Sequence, residues 1–140
     1  MRHVLIPLDG SEPAEEALEH AMEVFPDARL TLLTVIDPSS GFATGASAPG
    51  TAEVWYETVR ERAEERLAEA RERAESRGAT VETVIETGRP AATIVDYAEK
   101  NGVDGIVMGS HGRRGVSRLL LGSVAEAVVR HSSVPVTVVR

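Results

Sequence analysis

Short apolar runs alternate along this chain with longer stretches whose apolar residues recur every three or four positions. "HVLIPL" (His3 to Leu8) is apolar without a helical period and predicts a buried strand. In "SEPAEEALEHAMEVF", Ser11 is placed to cap a helix, Pro13 falls in its first turn, and Ala14, Ala17, Leu18, Ala21 and Met22 form one stripe. "RLTLLTVI" (Arg29 to Ile36) predicts a second strand. Residues Asp37 to Gly50 are small, polar and rich in breakers, and predict a loop. A long charged helix is expected from Ala52 to Arg77, with the stripe Trp55, Val59, Ala63, Leu67, Ala70 and Ala74, and with Gly78 as its stop. Its charges read as a solvated face with ion pairs between successive turns. "TVETVIE" (Thr80 to Glu86) is a third strand, and a helix follows with Pro90 near its start and Gly102 past its end. "DGIVMG" (Asp104 to Gly109), a helix over "SVAEAVVRHS", and the strand "VPVTVV" (Val134 to Val139) complete the pattern.

Strands that are apolar throughout, each followed by an amphipathic helix, predict a parallel sheet with helices on both faces. The fold class expected is α/β: one domain over residues 1–140, a doubly wound five-stranded parallel sheet of order 3-2-1-4-5. That order puts the reversal of winding between strands one and four. Ligands of such sheets bind outside the carboxyl ends of the strands at the reversal. The loops leaving those two strands are "DGS" (Asp9, Gly10, Ser11) and "GSHGRRG".

Composition narrows the function classes. The formal net charge of −7 argues against a nucleic-acid partner, which would call for a basic face. With no cysteine, disulfides, thiolate catalysis and cysteine-ligated metal are excluded. No apolar run approaches the roughly 20 residues of a membrane-spanning helix. The N-terminus lacks the pattern of a signal peptide, so no membrane association and a cytoplasmic location are expected.

The chemistry concentrates in "MGSHGRRGVSRLLLGS" (Met108 to Ser123). Its glycines allow backbone N–H groups to approach an anion, and Ser123 opens a helix whose N-terminus favours negative charge. It is not a Walker loop, because no Gly-Lys-Ser/Thr occurs, and the dinucleotide fingerprint belongs at the first strand rather than the fourth. The spacing Gly109, two residues, Gly112, nine residues, Gly122-Ser123 resembles the signature of the ATP-binding branch of the universal stress protein family. "VLIPLDGS", "GRPAATIVDYA" and "SSVPVTVVR" extend the resemblance over nearly the whole chain.

The resemblance implies a bound adenine nucleotide, ATP or its ADP and AMP relatives, with Mg²⁺. It implies that Pro7 and Leu8 line the adenine side and that Val35 meets adenine through its backbone. Asp9 would lie near the ribose, the phosphates or Mg²⁺, and Met108 and Gly109 would approach the ribose. Gly112, Gly122, Ser123 and Val124 would hold the phosphates, with Arg113 a candidate phosphate contact. It also implies a homodimer, for which the apolar edge strand Val134 to Val139 is the expected interface.

Plainer readings stand beside these. Ser123 and Glu126 have the spacing of a capping box. Asp9 is also a natural turn residue. Arg113, Arg114 and Arg118 also read as a solvated basic patch, and His111 as a turn residue with a solvated ring. His3, His20 and His131 lack metal-ligand spacing. Three classes of function compete: a nucleotide-binding stress or regulatory protein, possessing at most slow hydrolysis; an ATPase or autokinase; and a structural dimer with an unused site. Adenylating relatives of the fold carry a Ser-Gly-Gly-x-Asp-Ser loop after strand one, where this chain reads "LDGSEPAEE". Nothing in the loops supplies a convincing base for phosphoryl transfer. The first class is therefore the expected one.

Overall fold

The computed structural model describes residues 2–43, 50–111 and 120–140. Its elements are β1 (His3–Pro7), α1 (Glu12–Val24), β2 (Arg29–Ile36), α2 (Ser39–Ala43), α3 (Thr51–Glu75), β3 (Thr80–Thr87), α4 (Pro90–Lys100), β4 (Gly105–Gly109), α5 (Ser123–His131) and β5 (Val136–Val139). The strands form one five-stranded parallel sheet of order β3-β2-β1-β4-β5, as the alternation predicts.

The sheet separates two cores because successive side chains of a strand point to opposite faces. Val4 and Ile6 of β1, Leu8 just past it, and Leu30 and Leu32 of β2 pack under α1 and α3. Leu5, Leu33, Ile106 and Met108 pack under α4 and α5. The predicted stripe of α1 is buried in full. In α3, Ala63, Leu67, Ala70 and Ala74 are buried, while Trp55 and Val59 at its N-terminal end are only partly covered.

Two expectations change. The segment from Asp37 is not loop throughout, because it contains α2. The Asp37 carboxylate accepts from both the N–H and the hydroxyl of Ser39 (2.9 and 2.7 Å), which starts a helical turn despite the breakers. Gly41 then sits under the Trp55 ring, where an added Cβ would lie 3.2 Å from ring carbon. The charges of α3 are also not merely a solvated face. Arg60–Glu64 and Arg71–Glu75 are pairs between successive turns, but Arg73 and Arg77 reach across to Glu15 and Glu19 of α1. They tie the two helices of one face together.

Candidate functional site

β1 pairs with β2 along its full length, from His3↔Arg29 to Pro7↔Leu33, but with β4 only at Val4↔Gly105 and Leu5↔Ile106. The backbone directions explain the difference. Leu8 N–H donates to Leu33 O (2.8 Å), so the even positions of β1 face β2 and the odd positions face β4. Pro7 is an odd position with no N–H to give. On the other side, Ile106 N–H donates to Pro135 O and Ser110 N–H to Val139 O, so Val107 and Gly109 turn their backbone groups toward β1. The seam between β1 and β4 thus ends before the strands do. That gap between the strand ends marks the crevice expected where the winding reverses.

Val35 flanks this crevice. Gly88 N–H donates to Ile36 O (2.9 Å), so the even positions of β2 face β3 and the odd ones face β1. Val35 lies past the last β1 partner, Leu33. Its N–H and C=O therefore point over the end of β1, above Leu8. Leu8 itself is anchored twice to β2, since its carbonyl also accepts from the Thr34 hydroxyl (2.7 Å).

The β1–α1 turn is held by short-range bonds. Asp9 Oδ1 accepts from Ser11 N–H (2.9 Å), and the Ser11 hydroxyl accepts from Ala14 N–H (3.3 Å) as the helix cap. Gly10 adopts φ +84, a left-handed conformation that disfavours side chains. The guanidinium of Arg66, from α3, covers Gly10 so closely that an added Cβ would lie 2.7 Å from its Nε. Gly109 is required for packing as well. A Cβ there would lie 2.7 Å from Pro13 C and Cβ, so the glycine lets α1 lie directly on the end of β4.

The loop after β4 is pinched at its base. Gly122 N–H donates to Ser110 O (2.6 Å), and a Cβ on Gly122 would lie 2.9 Å from Ser110 O and from His111 Cα. This bond brings the N-terminus of α5 beside the end of β4. Residues Gly112, Arg113, Arg114 and Arg118 lie outside the described residues. His111 is partly buried, with its Nδ1 3.1 Å from the Ser110 hydroxyl.

The capping box is not formed. Gly122, not Ser123, is the N-cap of α5, and it has no side chain to cap with. Ser123 is the first helical residue and is exposed, and Glu126 pairs with Arg130 instead. The first α5 bond runs from Glu126 N–H to Gly122 O. The N–H groups of Ser123, Val124 and Ala125 precede it and are free of intrahelical partners.

Of the sequence-derived site residues, the crevice brings together Pro7, Leu8, Asp9, Val35, Met108 and Gly109, with Gly122, Ser123 and Val124 at its β4 side. Met108 has its side chain buried in the α4/α5 core and its backbone groups turned toward β5, so it stands beside the crevice without presenting a polar group to it. For a cation, Asp9 is the carboxylate of the β1–α1 turn. Among the described residues no group of three or more His, Asp and Glu side chains could enclose a metal. A donor set of one carboxylate suits Mg²⁺ that takes its other ligands from phosphate and water. Two features went unread in the sequence. Arg66 reaches the turn from a helix whose pattern showed only its apolar stripe. The effect of Pro7 depends on which way its neighbours' backbones face.

Together these features define a doubly wound α/β domain whose β1–β4 pairing ends early at its topological switch point. The chain belongs to the universal stress protein family, whose profile matches residues 1–140. It is 38% identical to universal stress protein MJ0531 of Methanocaldococcus jannaschii over 99% of this chain and 82% of that one. Among solved structures it is similar to MJ0577 of the same organism, with TM-score 0.86 and 34% identity over 99% of this chain and 94% of that one. A universal stress protein in complex with cAMP is 27% identical with TM-score 0.68, covering 99% of this chain and 96% of that one.

Proposed function

We propose that this chain binds an adenine nucleotide in the crevice between β1 and β4, and that occupancy, rather than turnover, carries a stress-related regulatory role. The observation that carries the reading is the early end of the β1–β4 pairing at the reversal of winding, the place where ligands of such sheets bind. A backbone donor and acceptor at Val35 border one side, suited to the edge of a purine, and the first N–H groups of α5, which have no intrahelical partner, border the other, suited to phosphate. The family relative solved with cAMP supports adenine as the base. We assign ATP with Mg²⁺ as the ligand, with Asp9 beside the metal and Gly112 and Arg113 on the phosphate loop. Asp9 is engaged as a turn acceptor, which favours a binding role over that of a general base. The protein acts in the cytoplasm as a homodimer through Val134 to Val139.

Calorimetric titration of nucleotide-free protein with ATP, AMP and GTP, with and without Mg²⁺, tests this. ATP should bind more tightly than GTP, and Mg²⁺ should strengthen ATP more than AMP. Absence of heat with every adenine nucleotide at millimolar concentration would overturn the reading.

A further inference from the structure

We propose that Arg66 is a positioning and charge-reading residue of the candidate nucleotide site, a fixed cation that α3 delivers to the mouth of the crevice and that favours longer phosphate chains. The inference rests on the nucleotide reading and adds a residue from outside the glycine loop.

The placement is unusual for a residue of a long charged helix. The guanidinium lies over Gly10, with Nε, Cζ and Nη2 at 2.7, 3.0 and 3.2 Å from where a Cβ would stand. A side chain at residue 10 would displace Arg66, and the left-handed φ of +84 disfavours one in any case. Glycine at this position therefore makes room for the arginine. Gly10 joins Asp9 to the Ser11 cap, and Pro13, one turn on, lies against Gly109 at the end of β4. Arg66 thus stands on the α1/α3 side of the opening, while the α5 N-terminus stands on the opposite side.

The side chain is partly buried, in contrast to the exposed Glu65 and Glu69 beside it. A guanidinium held against backbone has lost rotamer freedom before any ligand arrives, so less is lost when it meets phosphate oxygens. Arginine also stays charged at any working pH and offers a planar fork of donors matched to phosphate. Its effect should grow with the charge of the ligand and vanish for an uncharged one.

The test compares the binding of adenosine, AMP and ATP to the parent, Arg66→Met and Arg66→Lys by calorimetry, with thermal unfolding of each variant alongside. Arg66→Met should weaken ATP about tenfold and AMP about threefold and leave adenosine unchanged, as expected for loss of one charge-assisted contact. Arg66→Lys, which keeps the charge, should retain most of the preference for ATP. If Arg66→Met lacks a cooperative thermal transition, Arg66→Gln is read by the same ratio. An ATP-to-AMP affinity ratio within about twofold of the parent, or equal losses on all three ligands, would overturn the proposal. A parent that binds none of the three would overturn the nucleotide reading instead.

Discussion

Pro7 occupies the position of β1 whose N–H would face β4, and the pairing of those strands stops at Leu5↔Ile106. Proline in a central strand normally weakens a sheet because it removes a ladder donor. Here the missing donor falls at the reversal of winding, where an opening is wanted. Pro7→Ala restores an N–H directed at the backbone of Val107. The regained hydrogen bond contributes about 0.5–1.5 kcal/mol net. Loss of the proline's restraint on the unfolded chain costs about 0.4–1 kcal/mol. The two nearly cancel, so stability should hardly change, whereas nucleotide affinity should fall by about tenfold as the seam closes. Hydrogen exchange gives the direct readout, with a protected amide at residue 7 in the variant. An exposed amide together with parental affinity would show that Pro7 does not hold the crevice open. Gly109 and Gly122 need a different account from the one their spacing suggests. At both, the missing Cβ is explained by protein against protein, Pro13 in one case and Ser110 with His111 in the other. Their substitution should disturb α1 or the base of the loop before it disturbs any ligand.

Across strands, the opposite end of the sheet is locked by a chain of side-chain bonds. Arginine can only donate, so Arg29 Nη2 donates a hydrogen bond to His3 Nδ1 (2.9 Å), and His3 Nε2–H must then donate to Thr31 Oγ1 (2.6 Å). The Thr31 hydroxyl in turn donates to Glu82 (2.8 Å). Asp104 joins β4 to the network by accepting from His3 N–H (2.7 Å). Tyr97 of α4 borders Thr31, and burial pushes its phenol up. Burial first, and the Arg29 guanidinium second, hold the His3 imidazole below its usual 6.5, against the opposing pull of Glu82 and Asp104. Above about pH 6.5 the ring is neutral in both the folded and the unfolded chain and contributes no pH dependence. Below that value the unfolded chain takes up the proton first, so stability falls with pH until the folded ring titrates too. Urea unfolding between pH 7.5 and 5.5 should show this decline in the parent and a flatter profile in His3→Gln. Equal profiles would remove His3 as the cause. The strands and helices themselves were legible in the sequence because burial on one or both faces writes a period of two, a run, or a period near 3.6 into the chain. What escaped was non-local. The Ser-x-x-Glu pattern at Ser123 is a capping box in isolation, but the bond from Gly122 to Ser110 shifts the helix start by one residue. Likewise α2 depends on Trp55 lying over Gly41, a contact that no local pattern of breakers reveals.

For the molecule as a whole, the remaining question is how it covers β5. In the parallel ladder with β4, Pro135 and Val139 turn their carbonyls inward, to Ile106 and Ser110. Alternation then turns the N–H and C=O of Val136 and Val138 outward, onto the open edge. Pro135 precedes the strand, so it interrupts neither set. The strand is only partly buried, and Val129 of α5 leaves 47% of its surface exposed. An apolar edge with regularly spaced, outward donors and acceptors invites a second strand. A second copy related by a twofold axis could pair Val136 with the partner's Val138 and the reverse, which satisfies every outward group of both residues at once. Val138→Pro tests this arrangement selectively. It removes an outward N–H while leaving the inward ladder to β4 its donors, so the fold should survive and the dimer should not. Light scattering after size exclusion should give a dimer for the parent and a monomer for Val138→Pro, with matching far-ultraviolet circular dichroism. A parent that elutes as a monomer at tens of micromolar, or a Val138→Pro variant that stays dimeric, would place the interface elsewhere or nowhere.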